Sequence, residues 1–525
     1  MRNNKNKFIT KHSGHFVRAG LAVAVAAMTP MMSQAGEKVY FDHGGDLSWS
    51  VTTSYGFGVR MEDQDDDLLT DANGDDGNRN FDKHSLNSHR VGALAEMIYT
   101  YENVGAVLRA TTFYDDVYHR RNDNDSLATV NKDGANDQFT EGAKYYSGGR
   151  SRFLDAYVFG DFDLPSNQYM TVKAGRHVVS WGEGLFYPGV NGAQGPVDVV
   201  KSSSPGTETK EVLLPNGQVS VDWNVNPLFG LSAYYQYEWL KNDLNPVGSY
   251  FSTSDVIGPR PVKLGFGARY DGVNEPDDQG QYGIRAMIRP NFDWEFSLFH
   301  INYHDKNPSG ITLAPNFSSY KINYFDDIKL TGASVSTRIG DTQVSSEISY
   351  RDGAPIQLLN SGGSTTASRG KGVQAQASFI HTLGDMPWAR GTVFVGEVVH
   401  VRATDADPLA NGNDDYTYDT GTQYQTESST AYTLQAVLSY PGVFSGWDLS
   451  VPINFSHVVD GKTPLVGAIG GGEGDRRLSV GTTWKYVGNF ELDARYTAYM
   501  GDADLVKNRK LTDRDQFTFA AKYSF

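Results

Sequence analysis

The chain ends in the stretch Asp515-Gln-Phe-Thr-Phe-Ala-Ala-Lys-Tyr-Ser-Phe525. From Phe517 to Phe525 every second residue is apolar or aromatic, and the residues between them are polar or small. Strict alternation of this kind predicts a β-strand with two different faces. An aromatic residue at the end of such a strand is what the outer-membrane assembly machinery reads. The ending therefore predicts the last strand of a Gram-negative outer-membrane barrel, apolar towards lipid and polar towards the lumen.

The first 35 residues predict a secretory signal peptide. Basic residues precede a short apolar run at 19–28, and Ser33-Gln-Ala35 forms a small-x-small cleavage site before Gly36. The apolar run is too short to span a bilayer. The mature chain is expected to be residues 36–525, a single barrel domain located in the cell outer membrane.

Composition excludes several classes of protein. The chain has 46 Lys and Arg against 62 Asp and Glu, a net charge of −16, which argues against nucleic acid as a partner because phosphate binding needs a basic surface. It has no cysteine, so neither disulfides nor thiolate chemistry is expected. The 30 Tyr, 27 Phe and 8 Trp suit a barrel with aromatic girdles.

Alternating segments recur along the chain in pairs. Tight turns are predicted at 102–105, 226–227, 290–291, 441–442 and 488–489. Long polar loops are predicted at 61–89, 117–149, 182–215, 241–261, 352–370, 403–427 and 459–475. Short periplasmic turns alternating with long extracellular loops are typical of outer-membrane barrels, whose strand number is even. We predict an all-β, transmembrane antiparallel barrel of about 18 strands, with 16 or 14 as alternatives; segment 262–270 is an extension or a loop hairpin.

The face opposite the lipid face is polar. It carries Ser220, Asp222 and Asn224; Gln343, Ser345, Glu347 and Arg351; Gln374, Gln376 and Ser378; and Glu491, Asp493 and Arg495. A basic residue facing lipid near mid-depth would cost roughly 2–4 kcal/mol, so these side chains are expected to line the lumen. A hydrated interior is enough to explain them without a specific ligand.

The densest polar and aromatic cluster on any predicted strand is Gly175-Arg-His-Val-Val-Ser-Trp-Gly-Glu183. It supplies the candidate substrate or gate residues Arg176, His177, Trp181 and Glu183. The following residues, 184–215, contain Gly and Pro and show little alternation. This segment is expected either to fold back into the barrel as a constriction or to be an ordinary outward loop.

Charged residues in this segment extend the list of gate candidates. They are Asp198, Lys201 and Glu211. Because an unpaired arginine at lipid depth is costly, Arg176 is expected near a barrel rim or paired with Glu183, Asp198 or Glu211, where it would pin residues 184–211. The alternative is an arginine that only snorkels to the interface.

Two further loops carry candidate sites. Tyr250 and Phe251, in the polar and aromatic stretch 245–253, suit either stacking on a ligand or packing over the barrel mouth. Asp71, Asn73 and Asp75 place oxygen ligands at alternate positions, as at the start of a calcium loop. The EF-hand pattern then fails, because Asp76 and Asp82 replace its Gly and Glu. A solvated acidic loop and a weak Ca²⁺ site, perhaps shared with lipopolysaccharide phosphates, are the two interpretations.

Motifs of enzymes are missing from the sequence. It contains no Gly-x-Ser-x-Gly, no His-Glu-x-x-His and no Walker loop. Ser318-Ser-Tyr-Lys321 matches Ser-x-x-Lys without its companion motifs. The sequence therefore predicts a protein that is not an enzyme and has no cofactor beyond weakly bound Ca²⁺; a hydrolase assembled across strands is the alternative.

Several stretches resemble a family of Gram-negative outer-membrane barrels catalogued as a domain of unknown function and related to an alkane-uptake outer-membrane protein. They are Asn73-Gly-Asp-Asp-Gly-Asn-Arg-Asn-Phe-Asp82, Leu154-Asp-Ala-Tyr-Val-Phe-Gly-Asp-Phe162, Ser180-Trp-Gly-Glu183, Pro196-Val-Asp-Val199 and Asn245-Pro-Val-Gly-Ser-Tyr-Phe-Ser-Thr253. The resemblance implies a barrel handling hydrophobic small molecules or lipids. It also implies a periplasmic lipid-carrier-like protein and an inner-membrane transporter of the resistance-nodulation-division (RND) type as partners. The family usually has Asn-Pro-Val-Asp where this chain has Gly195-Pro-Val-Asp198.

The leading functional hypothesis is a transporter or channel for hydrophobic or amphipathic compounds. The alternatives are a general or ion-selective porin for polar solutes, which the polar inner face favours, and a structural docking component of an envelope complex. Outer-membrane lipid and lipopolysaccharide would surround the barrel in each case.

Overall fold

The computed structural model describes residues 36, 38–42, 44–291 and 293–525, so the predicted signal peptide lies outside the described residues. The chain forms one antiparallel barrel of 18 strands. In chain order these are β1 Asp46–Arg60, β2 Leu86–Tyr101, β3 Val104–Asp115, β4 Gly149–Leu164, β5 Gln168–His177, β6 Asn216–Asn226, β7 Phe229–Gln236, β8 Gln281–Ile288, β9 Trp294–Tyr303, β10 Ile328–Ile339, β11 Thr342–Leu359, β12 Thr365–Leu383, β13 Gly391–Ala406, β14 Ser428–Phe444, β15 Trp447–Asp460, β16 Arg476–Tyr486, β17 Phe490–Met500 and β18 Gln516–Ser524.

The first and last strands close the barrel. β1 pairs antiparallel with β18, from Thr52 opposite Ser524 to Arg60 opposite Gln516. β1 also pairs antiparallel with β2, and each later strand pairs with the next one along the chain. The predicted fold class and the predicted number of 18 strands are therefore confirmed.

Turns at one end of the barrel alternate with loops at the other end, and the loops are longer except for 360–364, where the long loop predicted at 352–370 is wrong because both strands continue into it. The turns are 102–103, 165–167, 227–228, 289–293, 340–341, 384–390, 445–446 and 487–489. The opposite end carries the loops 61–85, 116–148, 178–215, 237–280, 304–327, 360–364, 407–427, 461–475 and 501–515. The turn predicted at 441–442 is wrong, because β14 continues irregularly to Phe444 and the chain reverses at Gly446, whose φ is +79°.

The two faces of the strands differ as predicted. Large apolar side chains point outwards, such as Leu298, which is 60 % exposed, and Ile284, which is 52 % exposed. Polar side chains predicted to point inwards, such as Glu347 and Gln374, are buried inside the barrel. A closed sheet with an apolar outer surface leaves no backbone group unpaired in hydrocarbon. The chain is an outer-membrane barrel.

The long loops carry small elements of their own. Arg269–Asn274 pairs in parallel with Ser319–Asn323, which pairs antiparallel with Ile311–Leu313. Residues 262–270 form a loop hairpin, with a bridge between Lys263 and Arg269, so they add no strand to the barrel. The short helices are Leu68–Thr70, Asp76–Arg79, Val117–His119, Glu141–Tyr146, Asn191–Ala193, Val199–Ser202 and Thr209–Val212. Among the described residues none of the helices has the length and apolar character needed to span a membrane.

We expect replacement of Leu298 by Arg to destabilise the barrel through its lipid-facing surface. Leu298 is the fifth residue of β9 counted from the turn 289–293, which places it near the middle of the apolar band. Leu298→Arg should lower the free energy of unfolding by roughly 2–4 kcal/mol in liposomes, measured by urea titration. Leu228→Arg is the matched control, since Leu228 is 56 % exposed but lies in the turn 227–228 and should cost at most about 1 kcal/mol. Equal costs for the two variants would show that Leu298 does not face hydrocarbon.

Candidate functional site

The loop between β5 and β6, residues 178–215, lies inside the barrel and is called here the lumenal segment. Its backbone turns at Gly182, where φ is +96°, and three short helices follow at Asn191–Ala193, Val199–Ser202 and Thr209–Val212. Gly and Pro residues interrupt the alternation, so the segment cannot continue as a barrel strand. Its side chains and backbone contact inward-facing residues of the barrel wall on β2, β3 and β4 and on β11–β14.

Two glutamates of the wall hold the first half of the lumenal segment. Glu397 on β13 accepts hydrogen bonds from three consecutive backbone N–H groups, those of residues 185–187, at 2.6–3.3 Å. Glu347 on β11 accepts from the N–H groups of Glu183 and Val190, at 2.8 and 2.7 Å. Because a carboxylate is a stronger acceptor than a neutral oxygen, each glutamate fixes a turn of this segment against the wall.

Neighbouring side chains of the wall bind the carbonyl groups of the same half. Arg351 on β11 donates to the carbonyl oxygen of Gly189 at 3.1 Å, and Gln374 on β12 donates to that of Pro188 at 3.0 Å. The hydroxyl of Tyr187 lies 3.0 Å from that of Thr433 on β14. Three of the residues predicted to line the lumen, Glu347, Arg351 and Gln374, thus serve as anchors for the segment that crosses it.

Trp181 anchors the start of the lumenal segment to β7 and β8. Its backbone N–H donates to the side-chain oxygen of Gln194 at 2.7 Å, and its ring centre lies 5.0 Å from that of Tyr234 on β7. The guanidinium carbon of Arg285 on β8 lies 5.5 Å from the same indole ring. Trp181 is therefore buried between wall and segment, where it packs the segment rather than facing an open cavity.

Ion pairs hold the second half. Asp198, which is 1 % exposed, pairs with Arg150 and lies 3.5 Å from Arg152, both on β4. Asp243 in loop 237–280 pairs with the same two arginines. Asp198 also caps the helix Val199–Ser202 by accepting from the backbone N–H of Lys201 at 3.0 Å. Two arginines thus neutralise the buried Asp198 and the partly buried Asp243 and join the lumenal segment to a neighbouring loop.

Lys201 and Glu211 form a second buried contact with the wall. The two residues pair with each other, and the hydroxyl of Thr111 on β3 donates to Glu211 at 2.6 Å. Arg90 on β2 donates to the hydroxyl of Ser204 at 2.7 Å, while its guanidinium lies over the ring of Phe113. This half is consequently fixed to β2, β3 and β4.

Arg176 does not pin the lumenal segment. Its side chain is 44 % exposed at the loop end of β5 and pairs with Glu238, so the predicted pairing with Glu183, Asp198 or Glu211 is wrong. Arg176 cannot reach these acids because side chains alternate along β5. It lies on the outer face of the strand, while Gly175 and His177 lie on the inner face. His177 is buried and lies 2.8 Å from the hydroxyl of Ser220 on β6.

Tyr250 and Phe251 pack within the loops over the mouth. Tyr250 is 2 % exposed, and its hydroxyl donates to the carbonyl oxygen of Asp515 at 3.1 Å. The side chain of Arg514 donates to the carbonyl oxygen of Tyr250 at 2.7 Å, and the Phe251 ring lies 6.0 Å from that of Tyr499. Of the two roles considered for these aromatic residues, the contacts favour packing over the mouth.

The acidic loop residues divide into two groups. Asp71 accepts from the backbone N–H of Asn73 at 3.1 Å and lies 3.4 Å from Lys510, and Asn73 accepts from Asn131 at 2.9 Å. Asp75 instead pairs with Arg79 and points towards a different set of acids. The three predicted ligands therefore do not converge on one point.

One cavity lies among the loops and another lies inside the barrel. The outer cavity, at the loop end, has a volume of about 980 Å³ and is lined by Val256, Ile257, Ile311, Phe325, Val466 and Ile469 among apolar residues, and by Asn274, Asp326, Arg369 and Lys462 among polar ones. The inner cavity has a volume of about 390 Å³ and lies between residues 202–207 and the inner faces of β16, β17 and β18. Its lining is polar and includes Glu491, Asp493, Arg495 and Lys522.

The chain is similar to one known family and, more distantly, to several solved structures. The family described as "Protein of unknown function (DUF1302)" matches residues 16–525, and the chain belongs to that family. No curated protein sequence matches the chain. Among solved structures, OccAB2 of Acinetobacter baumannii is 12 % identical with a TM-score of 0.43, covering 91 % of this chain and 98 % of its own. OccAB1 of the same organism is 11 % identical with a TM-score of 0.45, covering 94 % and 99 %. OpdK of Pseudomonas aeruginosa, solved with vanillate, is 10 % identical with a TM-score of 0.43, covering 91 % and 98 %.

The anchoring residues were only partly predictable. Glu347 and Arg351 were predicted to face the lumen, but not to hold the segment. Arg150, Arg152 and Glu397 were missed altogether. The signal that could have found them is a charged side chain at an inward position of a strand, since such a residue needs a partner inside the barrel.

We expect the second half of the lumenal segment to depend on Arg150 and not on Arg176. Replacing Arg150 with Ala leaves Asp198 with one partner fewer in a buried position, a change that typically costs 3–5 kcal/mol. The chain has no cysteine, so the buried Val200 can be replaced by Cys as a unique probe. A thiol reagent should modify that cysteine at least about tenfold faster in the Arg150→Ala variant. Arg176→Ala, the matched control, should leave the rate unchanged; an increase there would restore the pinning role to Arg176.

Proposed function

We propose that this barrel is a gated outer-membrane channel that moves hydrophobic or amphipathic small molecules. The observation that carries the proposal is the outer cavity of about 980 Å³, whose walls are partly apolar and partly polar. Ligand pockets of this size, lined by apolar side chains with a few polar groups, are typical of sites for small organic molecules.

Capture at the mouth would use both kinds of wall. Ile311, Phe325 and Val466 offer apolar surface to a hydrocarbon portion. Arg369, which pairs with Asp326, and Lys462 lie on the same cavity and can bind a polar head group. An amphipathic molecule would satisfy both surfaces at once, whereas a small polar solute would leave the apolar surface in contact with water.

The gate would be the first half of the lumenal segment. Residues 182–190 are held by hydrogen bonds from backbone groups to Glu347, Glu397, Arg351 and Gln374. The second half is held by ion pairs that are almost fully buried, such as Asp198 with Arg150. Each hydrogen bond of the first half can be exchanged for one with water, whereas breaking a buried ion pair leaves a buried charge without its partner. We therefore propose the first half as the part that moves.

A porin for polar solutes is the second candidate. The observation in its favour is the inner cavity, where Glu491, Asp493, Arg495 and Lys522 line a hydrated space. The two functions differ in the resting state. A porin would be open, while a gated transporter would conduct little until the lumenal segment moves.

Envelope partners remain proposals as well. We propose a periplasmic lipid carrier and an inner-membrane pump of the RND type as partners, on the ground of the family resemblance alone. Chemical crosslinking in intact cells that retrieves both proteins with the barrel would support this assembly.

We expect loss of Glu397 to open the channel. Glu397→Ala removes the acceptor of three backbone N–H groups, so the first half of the lumenal segment should leave the wall. In planar bilayers the wild type should show small, intermittent currents, and the variant should raise the mean current at least about tenfold. Glu491→Ala is the matched control, because this inward glutamate contacts Lys485 and Lys522 and not the segment. Large, steady, ohmic currents through the wild type would favour the polar porin instead.

We expect the apolar wall of the outer cavity to determine uptake of an amphipathic substrate. Val466→Asp replaces an apolar contact with a charge, which should reduce uptake of radiolabelled long-chain fatty acid about tenfold in cells that depend on this barrel. The control is Leu127→Asp, since Leu127 is 93 % exposed and does not line the cavity. Equal uptake by wild type, both variants and a strain without the gene would refute this substrate class.

A further inference from the structure

Three aspartates from two loops meet over the barrel mouth. Asp75 and Asp76 belong to loop 61–85, and Asp255 belongs to loop 237–280. One carboxylate oxygen from each residue lies within 4.8 Å of those of the other two. All three residues are at most 1 % exposed, so the cluster is buried and not a solvated acidic surface.

The oxygens of this cluster lack hydrogen-bond donors. Within the described part of the chain, neither carboxylate oxygen of Asp76 accepts a hydrogen bond, and Oδ1 of Asp75 and Oδ1 of Asp255 also have no donor. The side-chain oxygen of Asn78, which is 2 % exposed, also has no hydrogen-bond donor. Buried carboxylates without partners are costly, so native proteins pair them or use them to coordinate a metal.

The basic residues nearby do not account for these oxygens. Arg79 donates to Oδ2 of Asp75 at 2.7 Å and leaves Oδ1 without a donor. The ammonium group of Lys132 donates to the carbonyl oxygens of Asn136 and Gln138, and not to a carboxylate. The cluster thus keeps several unused oxygens, and one oxygen of each carboxylate lies within 4.8 Å of those of the other two.

We propose that Asp75, Asp76 and Asp255 bind one Ca²⁺ ion. Ca²⁺ takes six to eight oxygen ligands at 2.3–2.6 Å, so ligands on opposite sides of the ion are about 5 Å apart. The separations within this cluster fit that limit, and all the donors are oxygens. The sequence pattern pointed to Asp71, Asn73 and Asp75, but only Asp75 lies in this site.

The ion would fasten two loops to each other over the mouth. The loops already touch, because the backbone N–H of Asp76 donates to Oδ2 of Asp255 at 3.0 Å and the N–H of Asp255 donates to the carbonyl oxygen of Asn73 at 2.7 Å. Asn80 donates to the carbonyl oxygen of Gly248 at 2.8 Å. A bound Ca²⁺ would remove the repulsion among the three carboxylates and fix loop 237–280, which borders the outer cavity, against loop 61–85. This inference does not depend on the substrate of the channel.

The test uses the full-length barrel, purified in detergent and freed of metal with a chelator. Calorimetric titration with CaCl₂ should show one ion bound, with a Kd on the order of 10⁻⁴ M or lower. CaCl₂ should also slow proteolysis in loops 61–85 and 237–280 of the wild type. Asp76→Asn and Asp255→Asn should each weaken Ca²⁺ binding at least tenfold and abolish that protection. Asp71→Asn, a change of the same kind in the same loop, should bind as the wild type does.

Folding of each variant is checked by the heat-dependent shift of the barrel on SDS gels. The comparison of the wild type with and without CaCl₂ tests the site even if a variant fails to fold. The rival explanation is protonation, because burial and the neighbouring Asp76 raise the pKa of Asp255 well above its ordinary value. In that case the wild type would bind no Ca²⁺, and Asp76→Asn would stabilise the metal-free barrel. Either result, or tighter binding of MgCl₂ than of CaCl₂, would overturn the assignment.

Discussion

The pairing of β1 with β18 is the interaction on which the rest of the structure depends. Hydrocarbon offers no partner for backbone N–H and C=O groups, so a membrane sheet must have no free edge. The register from Thr52 opposite Ser524 to Arg60 opposite Gln516 removes that edge. Once the sheet is closed, side chains alternate between lipid and lumen along every strand. The lumen-facing side chains then form the inner surface of the barrel.

The polar wall explains how the lumenal segment is held. A segment of 38 residues without barrel pairing brings its own unpaired backbone groups into the lumen, where they must find partners. Glu347 and Glu397 take up N–H groups, while Arg351 and Gln374 take up carbonyl oxygens. The same inward positions that would be neutral in an empty pore therefore hold the lumenal segment. In the proposed gating, opening would exchange these contacts for water, which makes a polar anchor easier to reverse than a packed apolar core.

Local pattern was enough to predict the barrel, because alternation is a property of neighbouring residues. Turn positions were harder to predict. Gly442 and Gly446 both have positive φ, but the chain reverses between β14 and β15 only at Gly446. The contacts across the lumen could not be predicted, because they join residues far apart in the chain, such as Tyr187 and Glu397. For Arg176 the sequence did contain the answer. Its place on the face of Val172 and Ala174 directs it outwards, away from the acids proposed as its partners.

In the acidic loops, too, the local sequence pattern did not predict contacts between residues far apart in the chain. A linear pattern found Asp71, Asn73 and Asp75, but the fold uses Asp71 and Asn73 to shape the loop through backbone and side-chain contacts. Asp76, where a calcium loop would have glycine, instead turns into the protein and meets Asp255 from another loop. Loops that cover a barrel mouth bury charges against each other when they fold together. Their ligand sets are therefore composed across loops, and the oxygens that matter are those left without donors after every local hydrogen bond is made.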